Sequence, residues 1–292
     1  MRNKSLPVKY LVLSIIIVLL LISGTAAWVF FHRPPLLIVT DISFSQLYGP
    51  ERLKRQNRNV SLSLFRQVIP VLVDEIAGPG LVAIAAEEAH ETPWAVIFPS
   101  RYIEGARRYI EEKPELPVLI MGSSPRIEGE TFSMVHTDAQ SDLYRAGMAA
   151  ALLTGDKTPL FYSDGALPDA QREAFLKGLG DQGFSEEPVF LNASSGYPSY
   201  SEIGCVIIAG PAARFAEQNL DIPVILFSWF DPGMTPWNVK IVFDDSPWTL
   251  AVNALKALPA EEITLPSSPL IIRDRIEDKG VFTRLKDLIL KK

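Results

Sequence analysis

Cysteine and histidine are nearly absent from this 292-residue chain: one Cys205, and His32, His90 and His136 far apart. A single thiol excludes an internal disulfide, so stability has to come from ordinary hydrophobic cores. The scattered histidines make no ligand pair, and no H-E-x-x-H, C-x-x-C or G-x-S-x-G string occurs. The aspartates form no compact cluster of the kind that holds a hard cation. Thr154-Gly155-Asp156-Lys157-Thr158 comes nearest to a phosphate loop, but it has no glycine at the upstream spacing and reads as a helix stop and turn. No catalytic constellation, metal site or cofactor is therefore expected. Basic charge is scarce too. Four of the 28 basic residues and none of the 34 acidic ones fall in the first 33 positions, which leaves the rest of the chain at −10. That balance argues against a nucleic-acid partner, which needs a clustered basic face.

Charge is missing altogether from Tyr10 to Phe31, a run of 22 residues interrupted only by Ser14, Ser23, Gly24 and Thr25. As a helix it extends about 33 Å, enough to cross a hydrocarbon core of roughly 30 Å. Arg2, Lys4 and Lys9 precede it, and the positive-inside bias keeps that end in the cytoplasm. The remaining 259 residues, from Pro34 onward, then lie outside the cytoplasmic membrane. Two readings fit: a retained single-pass anchor, or a signal segment cut after Ala27 and a secreted product. Trp28-Val29-Phe30-Phe31 carries the apolar run past that cut, which favours the anchor. Neither reading involves a lipidated cysteine near the run.

Beyond the anchor, short apolar runs alternate with helical patterns. Strands are expected at Leu36–Thr40, Leu81–Ala85, Ala95–Phe98, Val118–Met121, Met134–His136, Leu160–Tyr162, Val189–Leu191, Cys205–Ala209, Val224–Phe227 and Val239–Phe243. Helices are expected at Arg52–Ala77, Arg101–Lys113, Ala139–Thr154, Asp169–Gln182, Pro211–Asn219 and Pro247–Ala257, with an amphipathic tail from Gly280 to Lys292 packed on a lobe. Strands that are apolar almost throughout are those covered on both faces, and this alternation builds doubly wound α/β sheets. Ten strands exceed one compact sheet, so two parallel-sheet lobes joined by crossover strands are expected, preceded by one transmembrane helix. The expected division is 1–33 for the anchor or signal segment, 36–137 with 240–266 for lobe one, and 138–239 with 267–292 for lobe two.

Several stretches occur in a familiar order. Leu36–Ser43 resembles the first strand and ligand loop of type I periplasmic-binding proteins and of the ligand-sensing cores of lactose-repressor-like regulators. Thr137-Asp138 through Ala146-Gly147-Met148-Ala149-Ala150 is similar to their aspartate and small-residue helix. Pro168–Leu179 resembles their R-x-x-A-F-x-x-G-L helix, and Ile222–Phe227 with Trp229-Phe230-Asp231 resembles the strand that delivers a ligand-contacting aspartate. Val239–Asp245 with Ser246-Pro247-Trp248 resembles the returning crossover. The resemblance implies the type I periplasmic-binding fold and capture of a small polar ligand, a sugar, nucleoside or similar molecule, for an ABC-type permease. The alternative it leaves is a sensory or protein-interaction module that keeps the fold. The regulators' helix-turn-helix is absent, Ala209-Gly210-Pro211-Ala212 stands where they carry an asparagine-aspartate pair, and the lipidated cysteine of the nucleoside-binding membrane lipoproteins is missing.

In open α/β sheets ligands bind beyond the carboxyl ends of strands. That rule selects Asp41, Ser43 and Phe44 after the first strand, Ser123 and Ser124 after the fourth, and Asp138 at the start of lobe two. It adds Ser163 and Asp164 with Arg172 on the next helix, then Trp229, Phe230 and Asp231, and finally Asp244 and Asp245. Carboxylates accept bonds from hydroxyls and amines, Arg172 offers a fork of donors, and Phe44, Trp229 or Phe230 suit a ring or sugar face. The competing reading is structural. An aspartate after a strand often caps the next helix, Arg172 also suits a solvated helix face, and Trp94, Trp237 and Trp248 suit packing.

Overall fold

The computed structural model describes residues 8–42, 45, 49–74, 76–122, 131–163, 167–192, 200–209, 221–227 and 238–290. Among these, helix α1 (Val8–His32) contains one stretch, Val12–His32, long and apolar enough to cross a membrane, and none of it is buried by the rest of the chain. Among the described residues twelve strands follow, in two sheets of six. The first sheet has the order β2-β1-β3-β4-β5-β11, all parallel: β1 (Leu36–Asp41), β2 (Val68–Val73), β3 (Ala95–Pro99), β4 (Val118–Met121), β5 (Ser133–Thr137) and β11 (Glu262–Leu265). The second has the order β7-β6-β8-β9-β10-β12: β6 (Thr158–Ser163), β7 (Val189–Asn192), β8 (Ile203–Ala209), β9 (Val224–Phe227), β10 (Val239–Asp244) and an antiparallel edge strand β12 (Ser268–Ile271).

The apolar runs become strands because both faces are covered. Leu36 and Ile38 pack under α2 (Pro50–Leu64) and α7 (Pro247–Ala257), while Leu37 and Val39 pack under α3 (Pro79–Ala89) and α4 (Ile103–Glu112). All four residues are fully buried. Trp248 is buried in the first of these layers and donates its indole N–H to Asn57 Oδ1 on α2, so it is a packing residue. In the second lobe α5 (Ala139–Leu153), α6 (Asp169–Gly180) and α8 (Lys279–Ile289) share one core with Phe161, Phe175 and Phe243. Trp237 and the expected helix Pro211–Asn219 lie outside the described residues.

The local sequence reading misplaces one strand. Leu81–Ala85 is helical, within α3, and the strand is Val68–Val73, inside the expected Arg52–Ala77 helix. Pro70 is tolerated because β2 is the edge of the sheet, where a missing N–H breaks no ladder. Pro79 opens α3, a position at which proline removes no intrahelical bond. A second difference concerns β10. It pairs with β9 in the second sheet, so residues 240–244, assigned above to lobe one, run with lobe two, and the chain returns to lobe one only after Asp244.

Three crossings join the sheets: β5 into α5 at Thr137-Asp138, β10 into α7 at Asp244–Ser246, and β11 into β12 at Leu265–Ser268. Each leaves the carboxyl end of a strand. α5 and α7 each precede a parallel strand, so each starts at the carboxyl end of its own sheet, and β12 starts beside Asp244. The carboxyl ends of the two sheets therefore face one another across the crossings. The first and third crossings are tied together: the Asp138 N–H donates to Leu265 O at 2.8 Å, and the Ser267 N–H donates to both Asp142 carboxylate oxygens at 3.1 Å. Arg145 pairs with Asp142, donates to Ser267 O at 2.9 Å and lies 5.6 Å from the Phe243 ring.

Burial raises the Asp142 carboxyl above its usual range despite these bonds. Asp245, in the second crossing, is pushed up to about 6, chiefly by burial and next by the Asp244 charge, and its Oδ1 has no hydrogen-bond partner among the described residues. A raised folded-state value means that the folded state holds this proton more tightly than the unfolded chain. The group's stabilisation is complete below the unfolded value near 4 and is lost as pH rises through about 6.

Two predictions follow from this packing and charge. Glycines at the α5–α6 crossing allow backbone contact: a Cβ on Gly178 would sit 2.0 Å from Tyr144 O, and one on Gly147 would sit 2.2 Å from Phe175 O. Gly178→Ala is expected to cost about 2–4 kcal/mol, because backbone rather than a flexible side chain must move. Gly180→Ala in the same helix has open space and is expected to be neutral or slightly stabilising by denaturant titration. Asp245→Asn is expected to stabilise the chain at pH 7.5 by up to about 2 kcal/mol, with the gain gone near pH 4. Equal unfolding midpoints for variant and parent at both pH values would remove the assigned cost.

Candidate functional site

The space between the facing carboxyl ends is reached by the last residues of β1, β3 and β5 from one side and of β6, β9 and β10 from the other. Asp41, the last residue of β1, is 4% exposed and accepts a hydrogen bond from Arg101 Nη1 at 2.9 Å. Arg101 stands in the turn after β3, half-exposed, with its guanidinium 5.1 Å from the Tyr102 ring. The pair combines a buried acceptor with a positioned, solvent-reaching fork of donors, and its aromatic neighbour limits the rotamers of that fork. Gly122, after β4, has a φ of 141°, and a Cβ there would fall 2.1 Å from Ser100 Oγ. Gly122 thus lies directly against the turn that carries Arg101.

The other selected residues are placed differently. Asp244 ends β10 at the same level, but it is buried, paired with the buried Arg52 of α2, and accepts the Ser246 N–H at 3.0 Å. Its Oδ2 bridges the lobes through Arg52, and its Oδ1 holds the Ser246 amide of the crossing. Asp138 follows β5 and caps α5, accepting the Ser141 N–H at 3.0 Å. Arg172 lies on α6 with its guanidinium 4.4 Å from the Phe190 ring and 3.5 Å from Glu187. Phe190 belongs to β7, the edge of the second sheet, so Arg172 is held on the outer flank of lobe two. The structure brings Asp41, Asp138 and Asp244 to the facing ends and does not bring Arg172 there. Ser43, Phe44, Ser123, Ser124, Asp164, Trp229, Phe230 and Asp231 lie outside the described residues.

Arg101 was legible only in part. The sequence reading gives it to the start of a helix, whereas Ser100–Tyr102 form a separate turn before α4. The strand-end rule, applied to Pro99 as it was to Thr40, points to it. Arg52 carried no signal, because its partner lies 192 positions away. Among the described residues no group of three or more histidine, cysteine or carboxylate side chains is placed to hold a metal. Cys205 is fully buried, and its thiol is pushed well above the usual range by that burial, which makes it inert as a nucleophile.

No protein-family model and no curated protein sequence matches the chain. Solved structures do match. A solute-binding protein of an ABC transporter system from Conexibacter woesei superposes with a TM-score of 0.61 at 11% identity, over 88% of this chain and 95% of the other. A transcriptional activator of the comK gene from Bacillus halodurans gives 0.60 at 13%, over 88% and 96%. A periplasmic solute-binding protein from Actinobacillus succinogenes with bound D-allose gives 0.51 at 12%, over 83% and 99%. At such identities the likeness speaks for the fold, and together with the strand orders and the three crossings it establishes the chain as an α/β protein of the type I periplasmic-binding fold.

Proposed function

We propose that the chain is a membrane-tethered, extracytoplasmic binding protein that takes a small polar molecule between its two lobes without turning it over. α1 spans the cytoplasmic membrane with its amino end inside, and residues 36–137 with 245–266 and 138–244 with 267–292 act as the two moving units. The observation that carries this reading is the Asp41–Arg101 pair at the carboxyl ends of β1 and β3, facing the ends of the second sheet. A buried carboxylate holding a half-exposed guanidinium suits vicinal hydroxyls or a carbonyl oxygen, and the D-allose held by one structural neighbour supports a ligand of sugar size. Asp138, Asp244 and Asp245 then belong to the hinge. Ser43, Phe44, Ser123, Ser124, Trp229 and Asp231 stay candidates for the remaining contacts, and an ABC-type permease is the partner that a transport role requires.

A sensory module is the second reading, and one observation favours it. Only Arg33–Pro35 separate α1 from β1, and the join is pinned by hydrogen bonds, so a change in lobe one is transmitted to the membrane helix with little slack. A permease or a signalling partner is told apart by which protein is captured when the ligand is added.

The test is mass spectrometry of small molecules released from the purified full chain, followed by calorimetric titration of the molecule found. Arg101→Ala is expected to weaken binding by about 1–3 kcal/mol, five- to over a hundredfold, and to lower the unfolding midpoint as well, because the buried Asp41 carboxylate loses this partner. Arg172→Ala, on the outer flank, is expected to leave affinity unchanged. Unchanged affinity in Arg101→Ala, or the absence of any bound sugar, nucleoside or related molecule, would overturn the site assignment.

A further inference from the structure

The place where α1 meets lobe one carries features that ligand capture does not use. The helix ends at His32, and the three residues after it are anchored: the Trp94 N–H donates to Pro35 O at 2.8 Å, and Arg66 Nη1 donates to Pro34 O at 3.0 Å. Both bonds lie at the amino end of the first sheet, opposite to its facing carboxyl ends. Phe65, which ends α2, is the one non-glycine residue with positive φ among the described residues, at 50°. An aromatic side chain in that region is strained, by about 1–2 kcal/mol, where glycine would not be. The conformation closes α2 with the Phe65 and Arg66 amides on Leu62 and Ser61 carbonyls and turns the Phe65 ring toward the membrane helix, 5.7 Å from the Phe30 ring.

That contact sets a depth. Phe30 is the penultimate residue of the apolar run, so a ring of lobe one lies within one side chain of the level at which the run ends. Around the same level Trp28, Phe31 and Leu62 are 61%, 65% and 66% exposed, an arrangement of aromatic and aliphatic groups suited to the membrane–water boundary. Two guanidinium groups accompany them. Arg33 lies 5.4 Å from the Phe65 ring and Arg66 lies 4.3 Å from the Trp94 ring. Burial, and after it the Arg33 charge, lowers the Arg66 value. Neither arginine is paired with a carboxylate among the described residues. Two guanidinium groups close enough for one charge to act on the other, each over an aromatic ring and neither paired with a carboxylate among the described residues, suit an anionic phosphate diester.

We propose that the amino-end pole of lobe one is a phospholipid seat, in which Arg33 and Arg66 bind the phosphate of an anionic lipid while Leu62 and Phe65 enter the headgroup boundary. The proposal rests on α1 being a retained membrane span. It stands the molecule upright, with lobe one on the bilayer and the ligand cleft and lobe two directed away from it.

The test uses the full chain in nanodiscs of phosphatidylcholine with and without one-third phosphatidylglycerol. Because Cys205 is buried, Leu62→Cys takes a thiol-reactive fluorophore alone, and Lys279→Cys on α8 of lobe two serves as the distant control. Lipids bearing a nitroxide at the headgroup are expected to quench the label at 62 and not at 279. In native mass spectrometry the ratio of retained phosphatidylglycerol to phosphatidylcholine is expected to fall roughly tenfold or more in Arg33→Gln/Arg66→Gln. A chain that remains in the nanodisc with an unquenched label at 62, or a double variant with an unchanged lipid ratio, overturns the seat and leaves the membrane span standing. Failure of the parent chain to be retained in the nanodisc overturns the span itself, and the seat with it.

Discussion

Asp142 sits one turn into the first helix of lobe two, and both its oxygens accept the Ser267 amide of the third crossing. Its charge is buried, which is costly unless it is paired and hydrogen-bonded. Arg145 supplies that pairing and reaches on to the Ser267 carbonyl and to the Ile289 carbonyl of α8. One carboxylate and one guanidinium therefore connect two crossings and the carboxyl-terminal helix. The second crossing is held in parallel by the buried Arg52–Asp244 pair, whose members come from different lobes. Asp245 in the second crossing is left with an oxygen unpartnered among the described residues and a titration point raised chiefly by burial, so the joint between the lobes is also a place where stability is given up.

The lobes solve their packing differently. Lobe one is covered on both faces by helices whose large side chains, Tyr109 and Trp248 among them, fill the space over the sheet. Lobe two brings α5 and α6 to backbone contact through Gly147 and Gly178, and beneath α6 Phe161, Phe175 and Phe190 pack as one edge-on and tilted group. The small-residue patterns noticed in the sequence are thus two halves of one contact.

From α1 outward the order of parts is the three-residue join, lobe one, the crossings and lobe two. The join and the strained Phe65 turn lie at the amino ends of the first sheet's strands, and the crossings at their carboxyl ends. Because parallel strands have all their carboxyl ends on one side, attaching α1 at an amino end places the helix and the facing sheet ends at opposite poles of lobe one.

The sequence by itself determined the one helix long and apolar enough to cross a membrane, the two-lobed α/β class and most strands, because charge-free length and continuous apolar runs report an apolar environment directly. It also determined which aspartates follow strands. Tertiary structure decided what those aspartates do: Asp138 caps a helix, Asp244 meets Arg52, and Asp41 meets Arg101. It also decided that Val68–Val73 is the edge strand and Leu81–Ala85 is helical, since both stretches are short and apolar and only pairing with Leu36–Asp41 distinguishes them. The physical reason is common to all these cases. Periodicity records which side of an element is buried, while a hydrogen bond or ion pair depends on a partner that can lie 192 positions away, and no local pattern encodes that distance.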